Sequence, residues 1–303
     1  MPSLRGYLRL VRLPNVFTAL ADVLAGYAIS RTWAPSSDAD FRRYLPLFGA
    51  SAALYMAGMA FNDVADRAED AETRPNRPIP SGQVSVRGAI ACAFILMLAG
   101  VGLAWWAGFP ALLRAAALSA AIMTYNFSAK RNVLMGPLVL GLCRFWNVQL
   151  GMTGHAEFVF HAENSGPLDS PWAPAIAVGI YAAGLTAFSA QEEAGGQRRA
   201  FLLGWLFSGS AILLAALSSS PAAWFALLPL ALTLSFLSHR LNRLGTPQAA
   251  RDLVRAGVMG ICLLDAGLIL GFAGTDAWPL AAGCVALLIP GFVFGKALAQ
   301  KEA

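Results

Sequence analysis

Asp63, Asp66 and Asp70 stand at i, i+3 and i+7. On a continuous α-helix turning about 100° per residue, that spacing places three carboxylates within about 60° of one another, with Asn62 at the edge of the same face. Such a group repels itself unless a cation lies among its oxygens, and hard oxygen ligands select Mg²⁺ or Ca²⁺. Mg²⁺ is commonly held by one or two carboxylates together with substrate phosphates, so Arg74 and Arg77 just downstream point to a bound diphosphate. Pro75, Pro78 and Pro80 end the helix and make a stiff loop able to carry those arginines back over the acids. The bland alternative is a solvated helix end of mixed charge; three acids on one face before a proline-bounded arginine pair is more ordered than such runs usually are.

The elements that hold these residues must be membrane helices. Of 303 residues, 57% are hydrophobic and only 13% charged, against about 25% charged in an ordinary soluble domain. The apolar runs are long and continuous rather than alternating, which excludes a β-barrel, and no stretch remains for a soluble domain. At about 28 residues per span and connection, the chain divides into about ten spans: near 14–30, 44–62, 87–107, 110–128, 133–152, 173–190, 200–218, 221–238, 253–273 and 277–295. Alternate connections carry seventeen Lys and Arg on one side and three on the other, which puts both termini, and the acidic face, in the cytoplasm. The expected architecture is an all-α, multi-pass transmembrane bundle, residues 1–303 as one domain, in the cytoplasmic (inner) membrane. The net charge of +5 follows from this bias and gives no reason to expect nucleic acid. The four cysteines lie in apolar stretches without CxxC spacing and read as small hydrophobes, and a cleavable leader is not expected.

Polar residues inside apolar spans are costly and merit weighing. Arg144 and Asn147 share a face of the fifth span, Asp22 lies in the first and Asp265 in the ninth. A cavity-facing role is favoured for Arg144 and Asn147, with a helix-tying pair as the alternative. Either aspartate can pair with Arg144, accept a proton from a substrate or serve as a protonated structural group, the structural role being favoured. Phe145, Trp146, Trp105, Trp106, Phe188 and Tyr181 are able to line an apolar chamber, although packing or lipid contact explains each singly. His155, His161, Glu157 and Glu163 read as parts of a solvated outer loop.

The run Asn62-Asp63-Val64-Ala65-Asp66-Arg67-Ala68-Glu69-Asp70 resembles the NDxxDxxxD signature of the UbiA-type intramembrane prenyltransferase superfamily, and Arg77-Pro78-Ile79 with Ser81-Gly82 is similar to the RPI-x-SG segment that follows it. Arg12, Pro14 and Asn15 resemble the R-x-PN start of that superfamily's first helix, and Tyr125 with Lys130 its Tyr…Lys element after the fourth. The resemblance implies a bundle around a central apolar cavity that binds an isoprenyl diphosphate through Mg²⁺, ionises the allylic C–O bond and delivers the prenyl group to a lipophilic, commonly aromatic, acceptor. Asp63, Asp66 and Asp70 would hold Mg²⁺. Arg77, Lys130 and Arg74 would bind phosphate oxygens, and Asn15 and Asn62 would orient the metal shell or the diphosphate.

Two departures stand out. Where the superfamily carries a second DxxxD cluster after its sixth helix, this chain has only Glu192 and Glu193, in an ending that resembles an EboC-like branch. Adjacent residues on a helix point about 100° apart, so one glutamate is expected to face the cavity as a ligand for a second metal. Ten spans exceed the nine usual for the superfamily. Three readings therefore stand beside prenyl transfer: an intramembrane terpene cyclase, a diphosphate hydrolase, and a carrier that binds isoprenyl diphosphates without catalysis.

Overall fold

The structure, a computed structural model, describes residues 3–33, 44–154, 172–189, 198–217 and 220–299, and all regular structure among them is helical. The helices are α1 (Leu4–Leu10), α2 (Val16–Trp33), α3 (Leu45–Ala65), α4 (Arg67–Thr73), α5 (Val86–Ala107), α6 (Phe109–Thr124), α7 (Met135–Gly151), α8 (Trp172–Ser189), α9 (Arg198–Leu217), α10 (Trp224–Leu244), α11 (Pro247–Phe272), α12 (Trp278–Ala286) and α13 (Leu288–Ala299). Each expected apolar stretch overlaps a helix. Among the described residues, seven helical segments are long and apolar enough to cross a membrane. The helices of the fourth and fifth stretches, α6 and α7, have 16 and 17 residues, and the last stretch is a rod broken between α12 and α13. The chain is a multi-pass membrane protein.

Burial sorts the helices into inner and outer layers. Helix α2 packs against α3, α7 and α11, and α8 lies between α7 and α9. Helix α5 and the α12–α13 rod instead turn large apolar side chains outward, among them Phe94, Ile95, Leu98, Ile289 and Phe292. Trp105 and Trp106 are 72% and 79% exposed at the end of α5, where amphipathic rings suit a membrane boundary. Tyr181 and Phe188, by contrast, are packed into the helix–helix core.

Glycine sets the central contact. A Cβ on Gly26 of α2 would stand 2.3 Å from the Val148 carbonyl oxygen of α7, and one on Gly151 would stand 2.3 Å from the Val23 carbonyl oxygen. Only a residue without a side chain lets the two backbones approach this closely, as small residues do between membrane helices. Gly151→Ala must push α2 and α7 apart, because backbone carbonyls cannot turn aside as a flexible side chain can. We expect a loss of about 2 kcal/mol or more, read as a lower midpoint in denaturant titration of the reconstituted protein.

Candidate active site

Four elements converge where α3 ends. Helix α3 stops at Asp66 (φ −90°, ψ 1°) and α4 starts again at Arg67, so 100° per residue does not carry through from Asp63 to Asp70. This corrects the expectation of three carboxylates at one spot. Asp63 and Asp70, 4% and 1% exposed, are joined by one nitrogen: Arg77 Nη1 lies 3.2 Å from Asp63 Oδ1 and 2.7 Å from Asp70 Oδ2. Asp66 points elsewhere, paired with Lys130 and accepting 3.1 Å from Asn62 Nδ2. Among the described residues no three His, Cys, Asp or Glu side chains are gathered as a metal-binding group.

The loop after α4 places Arg77. Its turns are closed by backbone bonds from Arg77 to Arg74, Ser81 to Arg77, Gly82 to Ile79 and Val84 to Pro78. Gly82 takes a left-handed φ of 74°, a conformation that disfavours a Cβ. Ile79 and Val84 sink into an apolar cluster with Phe61 and Leu10, which anchors the loop against α3. Arg74 stays half out of the site, 41% exposed and 3.8 Å from Asp70 Oδ1.

Lys130 arrives on a widened turn. Residues Tyr125–Ala129 form a π-helical turn, with Lys130 N donating to Tyr125 O, and such turns often mark functional sites. Asn126 pins this turn to α3 by donating 3.3 Å to Gly58 O. Tyr125 is half-buried beside it. Arg12 completes the cluster, its Nη2 lying 3.2 Å from Asn62 Oδ1 and 3.3 Å from Asp63 Oδ1. Among the described residues it is the one non-glycine with a positive φ, 48°. Backbone strain of this kind persists where surroundings over-determine it, and here the strained residue faces the acids. Asn15, on the short turn after it, lies beside the Tyr55 hydroxyl.

The result is a site of alternating charge: carboxylates Asp63, Asp66 and Asp70, cations Arg12, Arg74, Arg77 and Lys130, and the Asn62 amide between them. The donor set of hard carboxylate oxygens suits Mg²⁺, and Arg77 already shows that one positive centre can bridge Asp63 and Asp70. Glu192 and Glu193, like His155, Glu157, His161 and Glu163, lie outside the described residues.

A second polar cluster lies deeper. Arg144 Nη1 donates 2.9 Å to Asp22 Oδ2 and Nη2 donates 2.8 Å to Thr18 Oγ1. Asn147 Nδ2 donates to the same Asp22 oxygen and to Ala19 O, while Ser51 Oγ donates to Asn147 Oδ1. The pair ties α2, α3 and α7 together, and Arg144 keeps 13% of its side chain accessible. Asp265 of α11 is fully buried next to Asp22, and neither of its oxygens nor Asp22 Oδ1 meets a donor. A proton carried by one of the two acids would make that missing hydrogen bond. Asp265→Asn retains a donor and is expected to leave stability nearly unchanged. Asp265→Leu strands Asp22 Oδ1 and is expected to lose about 1–3 kcal/mol, measured by denaturant titration.

The fold and the site define a membrane helix bundle whose helix ends carry neighbouring ion pairs of carboxylates with arginines and a lysine. A profile of the UbiA prenyltransferase family matches residues 19–193, more than half of the sequence, and the chain belongs to that family. It is 35% identical over 134 residues to the digeranylgeranylglyceryl phosphate synthase of Metallosphaera sedula, covering 44% of this chain and 46% of the relative. It is 33% identical over 158 residues to the Ignicoccus hospitalis protein of the same name, covering 52% and 49%. The match thus spans about half the length of these curated relatives. Among solved structures, a UbiA homolog from Archaeoglobus fulgidus bound to GPP and Mg²⁺ superposes with a TM-score of 0.62 at 16% identity, over 87% of this chain and 99% of the other. The apo structure of a UbiA homolog from Aeropyrum pernix K1 gives 0.66 at 22%, over 84% and 97%. These likenesses establish the fold.

Proposed function

We propose that the chain is a Mg²⁺-dependent prenyltransferase of the cytoplasmic membrane, moving an isoprenyl group from its diphosphate to a lipophilic acceptor, with the site and both termini on the cytoplasmic side. The observation that carries the reading is Arg77 bridging Asp63 and Asp70 while Lys130 takes Asp66. Carboxylate oxygens of the kind a hard cation takes thus lie beside donors of the kind that bind phosphate oxygens. The likeness to relatives named as digeranylgeranylglyceryl phosphate synthases, and to a neighbour bound to GPP and Mg²⁺, supports it.

Asp63 and Asp70, which one Arg77 nitrogen already bridges, would hold the metal, and Asp66, paired with Lys130, would face the diphosphate bound to it. When bound, it neutralises charge developing on the leaving diphosphate. The protein's own residues do the rest. Arg77 and Lys130, with Arg74 and Arg12 nearby, turn their N–H donors from the carboxylates to the diphosphate oxygens and stabilise the charge released as the C–O bond breaks. Asn62, fixed between Arg12 and Asp66, holds the Asp66 carboxylate in orientation. The apolar helices exclude water from the allylic cation, so that an acceptor rather than water captures it.

The test is product analysis with isotopically labelled farnesyl diphosphate. Label appearing in a larger lipid only when membrane extract is present supports transfer. Label recovered without extract as a cyclic hydrocarbon or as farnesol would replace this reading with cyclisation or hydrolysis, and bound, unreacted diphosphate would replace it with carriage.

A further inference from the structure

Helices α9 and α10 are neighbours in sequence, joined through the short turn Pro221–Ala223, yet they scarcely touch: α9 packs along α8, and α10 along α11. The gap between them is a cleft of about 260 Å³. Trp205, Gly209 and Leu213 wall it from α9, Trp224 and Ser238 from α10, and the buried ring of Phe188 on α8 closes its back. No lining side chain is charged, and the Ser238 hydroxyl is already used, donating 2.6 Å to the Leu234 carbonyl. Gly209 keeps the cleft open, since a Cβ there would meet nothing within 4 Å. Leu206 on α9 and Leu232 and Phe236 on α10 are exposed, so both helices turn apolar surface toward lipid. From Trp224 to Ser238 is fourteen residues, about 21 Å along the helix axis, against about 15 Å for one leaflet of the hydrocarbon core. The cleft therefore has the length and the lining for an extended apolar chain.

One end of the cleft meets a cationic patch. Between positions 239 and 255 stand four arginines and one acid, Asp252. Arg240 takes that acid, 3.2 Å away, and Arg251 bonds Gln248. Arg243 and Arg255 are exposed and make no hydrogen bond or ion pair with the described residues. Asn242, four residues after Ser238 and seven after Ser235, continues the cleft face of α10 into its last turn. Arg243, beside it, lies about 7.5 Å beyond Ser238 along the axis. An apolar trough that runs out into uncompensated positive charge is complementary to a molecule with a long chain and an anionic head. A second copy of this chain suits the face less well, because a two-fold contact through it would set the arginines against their own copies.

We propose that this cleft binds an anionic phospholipid of the surrounding bilayer, with one chain lying between α9 and α10 and the phosphate held at the α10–α11 arginines, Arg243 first among them. The lipid supplies the packing that α9 and α10 do not give each other. Because only the folded bundle forms the cleft, occupancy stabilises the fold. The chain gives affinity for any lipid, and the arginines select the anionic ones. The site is built from α8, α9, α10 and α11, apart from the carboxylate cluster at the end of α3, and it stands independently of the prenyl-transfer reading.

The test uses the full chain in nanodiscs of phosphatidylcholine with and without phosphatidylglycerol, weighing the lipid each protein retains by native mass spectrometry and reading its Tm. Wild type is expected to retain phosphatidylglycerol in preference to phosphatidylcholine and to melt about 2–4 °C higher when it is present. Gly209→Leu fills the cleft without striking the protein at its Cβ, and is expected to retain at least about tenfold less phosphatidylglycerol while folding as well as wild type. Gly209→Ala gains the same helix propensity but leaves most of the space, and is expected to retain the lipid as wild type does. Arg243→Gln is expected to weaken retention about fivefold. Arg87→Gln, which removes an exposed cation at the start of α5, is expected to change nothing. Equal retention of the two lipids by wild type, or unchanged retention in Gly209→Leu, overturns the site. Equal losses in Arg243→Gln and Arg87→Gln overturn it too, since they mean diffuse attraction to a charged bilayer. Displacement of the phosphatidylglycerol by farnesyl diphosphate in wild type but not in Gly209→Leu would give the cleft to a different ligand.

Discussion

Asp66→Asn is expected to lower the rate of Mg²⁺-dependent pyrophosphate release by about 10²–10³-fold, the loss that follows removal of one preorganised charge-stabilising group at a developing anion. Two features make this the most damaging conservative change in the site. Asp66 is the carboxylate that Arg77 leaves alone, 19% exposed at the break between α3 and α4, so it is accessible to a metal-bound diphosphate. It also fixes Lys130: replacing it frees the ammonium to swing away from the phosphate position. Asparagine keeps the size and most of the hydrogen bonding with Asn62, so the fold should survive. Release kinetics from farnesyl diphosphate, with thermal unfolding as a control, separate a chemical loss from a folding loss. An Asp66→Asn protein that keeps wild-type release would remove Asp66 from the site.

The second large effect concerns stability. Arg77→Gln leaves two buried carboxylates, Asp63 and Asp70, without the cation that bridges them. Breaking such an arrangement is expected to destabilise the metal-free protein by about 3 kcal/mol, the lower end for a buried pair because Arg77 is itself 23% exposed. The sign of the metal effect follows. With its positive bridge removed, the variant has a stronger local need for a divalent cation, so Mg²⁺ should raise its Tm by more than it raises that of wild type. Equal Mg²⁺-induced shifts in the two proteins would mean that the metal does not use Asp63 and Asp70.

Most residues of the upper site were legible in the sequence because they are near neighbours. Asn62, Asp63, Asp66 and Asp70 fall within three turns, and the prolines that return Arg77 lie just beyond them. The break at Asp66 was hidden from it, since Val64, Ala65, Arg67 and Ala68 carry no helix-stopping signal; the π-helical turn at Tyr125–Ala129 likewise has no proline or glycine to announce it. Partners distant in the chain were also hidden. Arg12 meets Asp63 across 51 positions and Arg144 meets Asp22 across 122. Those meetings depend on how closely helices approach, and for α2 and α7 the approach is set by Gly26 and Gly151, which in the sequence are two glycines among 29. Hydropathy located the apolar stretches well, because burial in lipid demands long uniform runs. It says less about the depth of each helix, as the short α6 and α7 and the broken α12–α13 rod show.

Pyrophosphate release by the wild-type chain, reconstituted in nanodiscs and offered geranyl, farnesyl and geranylgeranyl diphosphates with a membrane extract as acceptor source, tests the account most directly. The expected result is release from at least one donor that depends on Mg²⁺, stops on chelation and returns when Mg²⁺ is restored. A folded protein that binds these diphosphates but releases no pyrophosphate under any of these conditions would contradict it.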